Sequence, residues 1–285
     1  MFILGLLFFL VACSQPIQGE TLITSTQELI EPPATPEVSM TPIINPTPTN
    51  TFTSEPVEVS TPAIPSITYS SPLVDYSIDE LIDMISNLYN PPKPGSDDPH
   101  QGVDFSIVDP KLGYAIKGST VQVILSGEVV MVMNDRFPYG NSILIETPFE
   151  SLPSSWKDFI GKLPSPALFE VKQALTCPEG WDKSQNGNHD LSLFILYAHL
   201  DEVVEWEVGD QILNGEVIGA IGNSGNVLAP HLHIEMRYGD SESLTGSMAH
   251  YHVTASEDEM AIYCRWRVSG WYRLVDPMGL LLLDP

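Results

Sequence analysis

A mainly β, antiparallel domain is what this chain predicts, and two observations predict it. Strand-like runs recur at short intervals, at 103–108, 114–116, 121–125, 128–133, 142–147, 193–199, 211–213, 216–221 and 231–237, and Gly127, Gly140, Gly209 and Gly215 separate several of them. No long stretch of helical periodicity interrupts the series. With 285 residues, 43% of them apolar, there is room for one main domain with a sizeable core.

Taken in order, residues 1–12 are almost wholly apolar, Phe-Ile-Leu-Gly-Leu-Leu-Phe-Phe-Leu-Val-Ala after the first Met, and too few to span a bilayer as a stable helix. They read as a signal-peptide core, without the basic residues that usually precede one. Leu10-Val11-Ala12-Cys13 resembles the bacterial lipobox, which implies a lipidated Cys13 as a membrane anchor; a cleaved signal without lipid is the other reading. From 13 to 72 the composition turns to Thr, Pro, Ser and Glu, with Thr-Pro pairs at Thr35-Pro36, Thr41-Pro42, Thr47-Pro48 and Thr61-Pro62 and no Lys or Arg. Such a stretch cannot bury enough apolar surface to offset its ordering entropy. It would span roughly 45 Å as a flexible coil and up to roughly 180 Å if stiffened by proline, so it reads as a disordered tether.

Residues 73–98 form a lead-in. Ser77 and Glu80 stand at capping-box spacing, and Ile78, Leu81, Ile82, Ile85 and Leu88 mark one face of a short amphipathic helix that docks on the domain. Pro91, Pro92 and Pro94 stop it. The main domain then occupies 99–285 and carries two long insertions. The first, 148–190, holds Cys177 and a short helix expected near 167–174; the second, 238–272, is aromatic-rich and holds Cys264. Long inserts in a compact domain usually serve as walls or lids. With Cys13 committed to lipid, an exported chain favours pairing Cys177 with Cys264, two buried thiols being the alternative. His250-Tyr-His252 lacks a glycine lead-in and reads as a loop pair rather than a second metal site, and His189 is read as equally ordinary.

The chemistry concentrates in three motifs. The stretch 215–236 is a glycine-punctuated lead into a strand, on which His231 and His233 share one face while Leu232 and Ile234 take the other. Two neighbouring imidazoles suit one metal ion, although two partly exposed strand histidines look the same in isolation. The second motif, His100-Gln-Gly-Val-Asp104, offers one nitrogen and one oxygen ligand, with Gly102 allowing a tight bend. The third, Leu193-Phe-Ile-Leu-Tyr197-Ala-His199-Leu, is an apolar strand with Tyr197 and His199 on the same face.

Together, His-x-x-x-Asp, Tyr-Ala-His-Leu and Gly-Asn-Ser-Gly followed by Pro-His-Leu-His-Ile-Glu resemble the lysostaphin-type (LytM-like) zinc metalloendopeptidases, which cut peptide cross-links of bacterial peptidoglycan. The likeness covers 99–146 and 193–237, with a closing echo at Val275-Asp276-Pro277. It implies a central sheet with loops walling a narrow groove, zinc held by His100, Asp104 and His233, and His199 and His231 acting on water and substrate. Three ligands leave zinc one open position, as catalytic sites require. No His-Glu-x-x-His helix is present, so proton handling and oxyanion stabilisation fall jointly to His199 and His231. Tyr197 is expected to add a hydrogen bond, and Glu235, two residues beyond His233 on the same strand face, to orient an imidazole.

Charge narrows the partners. Twelve basic against 37 acidic residues leave −25, which disfavours nucleic acid and anionic lipid headgroups and leaves peptidoglycan peptides as the expected partner, with the membrane reached only through Cys13. The expectation is an extracytoplasmic, lipid-anchored zinc endopeptidase. Its rival is a non-catalytic module of the same fold that binds peptidoglycan or activates a separate hydrolase. Degenerate relatives would be expected to have lost ligands, whereas all five positions stand here. The sequence sets no oligomeric state.

Overall fold

Long apolar runs separated by glycine turns pair into a sheet whose centre is the run richest in hydrophobic residues. In the computed structural model, which describes residues 67–182, 190–202, 205–241 and 244–284, the strands are β1 (Ile85–Asn87), β2 (Val103–Phe105), β3 (Ile107–Val108), β4 (Ala115–Ile116), β5 (Thr120–Gln122), β6 (Gly127–Arg136), β7 (Gly140–Pro148), β8 (Leu191–Leu200), β9 (Gln211–Ile212), β10 (Val217–Ala220), β11 (Leu232–Asp240) and β12 (Tyr272–Val275). Eight of them form one sheet in the order β1-β2-β11-β8-β7-β6-β9, with β12 also paired to β11. Every pairing is antiparallel, and β5–β10 and β3–β4 make two small accessory sheets. Among the described residues no helix is long and apolar enough to cross a membrane. The signal segment, Cys13, the tether up to residue 66 and His189 lie outside the described residues.

Strand β8 is buried along nearly its whole length, as an uninterrupted apolar run demands. Its alternate residues serve two cores. Ile195 and Tyr197 join Val103, Phe105, Ile143, Ile145, Ile234 and Met236 on one face. Phe194, Leu196 and Ala198 face the other way, under Tyr263, Cys264 and Trp266 of helix α2 (Glu257–Val268), numbered after α1 (Ser154–Ile160) and before the C-terminal α3 (Pro277–Leu281). The second insertion therefore closes a face of the sheet. A disulfide between Cys177 and Cys264, with Cα atoms 6.0 Å apart, joins it to the first insertion.

Four local readings differ from the structure. Residues 69–72, assigned by composition to the end of the tether, pack on the domain: the Ser70 N–H donates to the Ile124 carbonyl at 3.0 Å, the Gln122 N–H donates to the Pro72 carbonyl at 2.9 Å, and the Tyr69 ring lies 4.7 Å from that of Trp156. The short N-terminal helix is a six-residue 3-10 helix, Asp79–Met84. Ser77 and Glu80 do bond reciprocally, the Ser77 N–H donating to Glu80 Oε2 at 2.8 Å and the Glu80 N–H to Ser77 Oγ at 3.4 Å. Ile85, however, leaves the helix to begin β1 opposite Phe105, and Ile82 and Leu88 stay exposed. The open edge of β2 offers backbone partners that one more helical turn cannot.

The helix expected near 167–174 is absent. That segment is irregular, with bends at 170, 171 and 174, and its first part lies against the second insertion, the Ala167 and Phe169 N–H groups donating to the carbonyls of Gly270 and Ser269 at 3.1 and 2.7 Å. Helix α1 forms earlier, burying Trp156 and Ile160 one turn apart. Helix α2 was not anticipated at all. Its apolar residues follow no clean stripe, yet a capping box announces it: Ser256 Oγ accepts from the Glu259 N–H at 3.2 Å, and Glu259 Oε2 from the Ser256 N–H at 3.0 Å.

Candidate metal centre

Antiparallel pairing of β2 with β11 sets Asp104 opposite His233. His100 arrives on the turn before β2, and Gly102 is what lets that turn press against β11. A Cβ there would lie 2.4 Å from the Ile234 carbonyl oxygen and 2.7 Å from the His233 ring. Gly102 thus serves both the expected bend and a close approach. The His100 Nδ1–H donates to the Leu88 carbonyl at 2.9 Å, which leaves Nε2 with its lone pair. That Nε2 lies 3.1 Å from Asp104 Oδ1 and 3.2 Å from His233 Nδ1, and the last two atoms are 2.8 Å apart.

Two nitrogens and a carboxylate oxygen converging on one point need a proton or a cation between them. Donors around a tetrahedral zinc ion with bonds near 2.0–2.1 Å stand about 3.3 Å apart, close to the separations here. Among the described residues, these three form the group of His, Cys, Asp and Glu side chains placed to share an ion. Asn87 Nδ2 donates to the other Asp104 oxygen at 3.2 Å. Without an ion, burial works against charge on both partners. Even so, the close approach of His100 and the hydrogen bond and positive charge of His233 hold the Asp104 carboxyl well below its usual range, and Asp104 and Glu235 hold His233 up at about 9. A cation would take the place of that proton.

His199 reaches the site by a departure from strand alternation. Simple alternation would leave it beside Tyr197, on the far face of β8. The β7–β8 register shifts between Asn141 and Ile143, and His199 takes a left-handed backbone with φ of 64°. Such a bulge re-aims a side chain, at a conformational cost for a residue other than glycine. The His199 ring now lies 4.7 Å from that of His231 and 5.8 Å from that of His233. Tyr197 stays behind in the apolar core, where its hydroxyl accepts the Ile124 N–H at 2.8 Å. The expected role of Tyr197 at the site is therefore corrected: the bulge separates it from His199.

The glycine-serine loop fixes the second histidine pair. The His199 Nδ1–H donates to the Ser224 carbonyl at 2.9 Å and the His231 Nδ1–H to the Ala229 carbonyl at 2.9 Å, so each keeps a lone pair on Nε2. Ser224 Oγ donates to the Leu200 carbonyl at 2.8 Å and accepts the Asn141 N–H at 2.9 Å. Gly225 seals this loop at φ of 75°, where a Cβ would lie 2.3 Å from the Pro138 oxygen. His231 Nε2 is 3.6 Å from Asp104 Oδ1. Burial, then the neighbouring His233 and His231, push His199 down to about 3, so it is neutral near pH 7.

Glu235 is fully buried behind His233. Its Oε2 lies 3.5 Å from His233 Nε2 and accepts from the Tyr139 hydroxyl at 2.8 Å and Arg267 Nη1 at 2.9 Å, while Oε1 accepts from Arg237 Nε at 2.5 Å. Burial alone would raise its carboxyl; Arg237 and Arg267 hold it well below the usual range. Tyr139, Arg267 and Asp97 were not singled out from sequence. All these groups meet beside an open cavity of about 470 Å³, lined by His100, Asp104, His199, His231 and His233 together with Asn87, Tyr139, Asn226 and Arg267. The pair His250 and His252 stands apart from it: the His250 Nε2–H donates to the Thr176 carbonyl at 2.7 Å, and His252 Nδ1 bonds Thr254 Oγ1 at 2.8 Å.

Residues 177–245 match the family model of Peptidase family M23. The matched stretch includes His199, His231 and His233, while His100 and Asp104 lie upstream of it and are brought in by the fold. No curated protein matches the chain. Among solved structures, it is similar to the catalytic domain of the antimicrobial peptidase lysostaphin from Staphylococcus simulans, at 20% identity over 72% of this chain and 98% of that one, with a TM-score of 0.35. The catalytic domain of a variant of the prophage-encoded M23 protein EnpA from Enterococcus faecalis is 18% identical over 61% of this chain and 87% of that one, with a TM-score of 0.33. A zinc-containing peptidase from Vibrio cholerae is 20% identical over 56% of this chain and 36% of that one, with a TM-score of 0.31.

Proposed function

We propose that this relative of peptidase family M23 is a zinc-dependent endopeptidase that hydrolyses peptide cross-links of bacterial peptidoglycan. The observation that carries the reading is the convergence of His100 Nε2, Asp104 Oδ1 and His233 Nδ1 within 2.8–3.2 Å beside an open cavity that two further imidazoles also line. Zinc held by these three residues supplies a Lewis acid that polarises a carbonyl and lowers the pKa of water towards ~7. His199 and His231 do the proton work: with Nδ1–H tied to a main-chain carbonyl, each presents Nε2 to take a proton from the nucleophile or, once protonated, to donate to the developing oxyanion. Glu235 accepts from the second nitrogen of His233 and so holds that ring in its ligating orientation.

In the same reading, Cys13 carries a lipid, and the Thr/Pro/Ser-rich stretch that follows it tethers the domain to the bacterial cell membrane or envelope, outside the cytoplasm and within reach of wall peptides. Incubating zinc-loaded protein with peptidoglycans of defined bridge chemistry, with products identified by mass spectrometry, tests the activity. Peptide fragments should appear, cease on chelation and return with added zinc. A folded, zinc-loaded protein that releases none from several wall chemistries would instead be a binding or activating module.

A further inference from the structure

We propose that Arg267, on helix α2 of the second insertion, is a positioning residue for the metal site, holding His233 through Glu235 and the approach of His100 through Asp97. The inference rests on the zinc-site reading above. Arg267 Nη1 donates to Glu235 Oε2 at 2.9 Å, the same oxygen that lies 3.5 Å from His233 Nε2. On its other side, Nε donates to Asp97 Oδ1 at 2.5 Å and Nη2 to the Asp97 carbonyl at 3.0 Å. Asp97 lies three residues before His100 in the chain. One guanidinium therefore bridges the carboxylate behind one histidine and the segment that delivers the other.

The bridge is rigid by chemistry and by packing. A planar fork with five N–H donors serves two acceptors in fixed directions, which an ammonium on a flexible stem does not. Tyr139 and Tyr263 flank the guanidinium at 5.9 and 5.8 Å, and the Tyr139 hydroxyl itself accepts from Nη1 at 3.0 Å. Gln101, next to His100, joins the same network by donating to the Asp97 carbonyl at 2.9 Å and accepting from Arg237. Charge balances too, with Asp97 and Glu235 against Arg237 and Arg267. Helix α2 is fixed three residues earlier by the Cys264–Cys177 disulfide. An outer partner that orients a ligating histidine typically changes metal affinity by roughly 10–100-fold when removed.

The test uses the full chain and zinc alone. Dissociation constants for zinc are measured by competition with a chromophoric chelator for wild type, Arg267→Lys and Arg267→Met, alongside the melting of each metal-free protein. Arg267→Met should weaken zinc by roughly 10–100-fold, and Arg267→Lys should recover only part of the loss. Adding Glu235→Gln to Arg267→Met should weaken zinc by less than Glu235→Gln does alone, because the two side chains act in one path. Folded variants that melt earlier without metal yet bind zinc as wild type does would assign Arg267 to packing and overturn the proposal. Should Arg267→Met not fold, Arg267→Lys decides on the same criterion. Wild-type protein that takes up no zinc would overturn the site reading as well, a result distinct from unchanged affinity in the variants, which overturns this proposal alone.

Discussion

Both faces of the eight-stranded sheet are buried, but what buries them differs. On one face Ile143, Ile145, Ile195, Ile234 and Met236 meet hydrocarbon, and the Tyr197 hydroxyl, paired with the Ile124 N–H, is a polar group set among them. On the other, β11 lines up His233, Glu235 and Arg237, and these are closed over by Tyr139, Arg267 and Asp97 as well as by Trp266, whose ring lies 4.8 Å from the Arg237 guanidinium. Apolar burial is non-directional and scales with area, so the first face tolerates changes of shape that keep its volume. Buried charges are satisfied by direction and number, so removing one strands another. Imidazoles that must hold a fixed geometry need the second kind of support.

The contrast is sharpest at the mouth of the polar face. His199→Ala and His231→Ala should keep zinc, by metal analysis, and lose peptide release by roughly 10²–10⁴-fold. Loss of zinc in either variant would move that histidine into the ligand set. Deeper on the same face, Glu235→Gln leaves the buried Arg237 guanidinium without its carboxylate, while Arg267 keeps Asp97, and should cost about 3–5 kcal/mol in denaturant unfolding of the metal-free protein. Its acid dependence has a definite sign. The folded carboxyl sits below the unfolded value of 4.5, so the unfolded chain takes up the proton first, and the stability Glu235 contributes is present above about pH 4.5 and lost as pH falls below it. Glu235→Gln should flatten that part of the acid unfolding curve; an unchanged curve would show that the buried charge does not couple to folding.

The apolar face should answer in smaller amounts and without touching chemistry. Tyr197→Phe strands the Ile124 N–H and should cost about 1–3 kcal/mol of stability with wild-type turnover per folded molecule. A specific loss of turnover would return Tyr197 to the site. Ile195→Val, in the middle of the same face, should cost about 0.5–1.5 kcal/mol with zinc affinity unchanged. A larger loss there, or any change in zinc affinity, would mean that the two faces are mechanically coupled through β8.

Much of the polar site was legible because its residues lie in short local patterns. His231 and His233 announce a shared strand face by their spacing, His100 and Asp104 flank a glycine, and Glu235 follows the same alternation. Arg267 and Tyr139 offered no such pattern. Their partners are remote in the chain, Asp97 being 170 residues from Arg267, and a contact between distant segments has no periodicity to read. The capping box of Ser256 and Glu259 was the one local sign that a helix carried Arg267 there.

By itself, the sequence determined the series of strands apart from β1 and β12, the double burial of β8, and the set of side chains capable of holding a metal, because hydrophobic period and residue chemistry are local properties. Only the tertiary structure decided which way those side chains face and what stands behind them. A bulge at His199 turns it to the site and leaves Tyr197 in the core, and it exists because β8 must register against β7. The end of the tether and the segment after Met84 became strand partners for the same reason: backbone groups at an open sheet edge take whichever chain can pair with them, and no residue types at 69–72 or 85–87 encode that edge on their own.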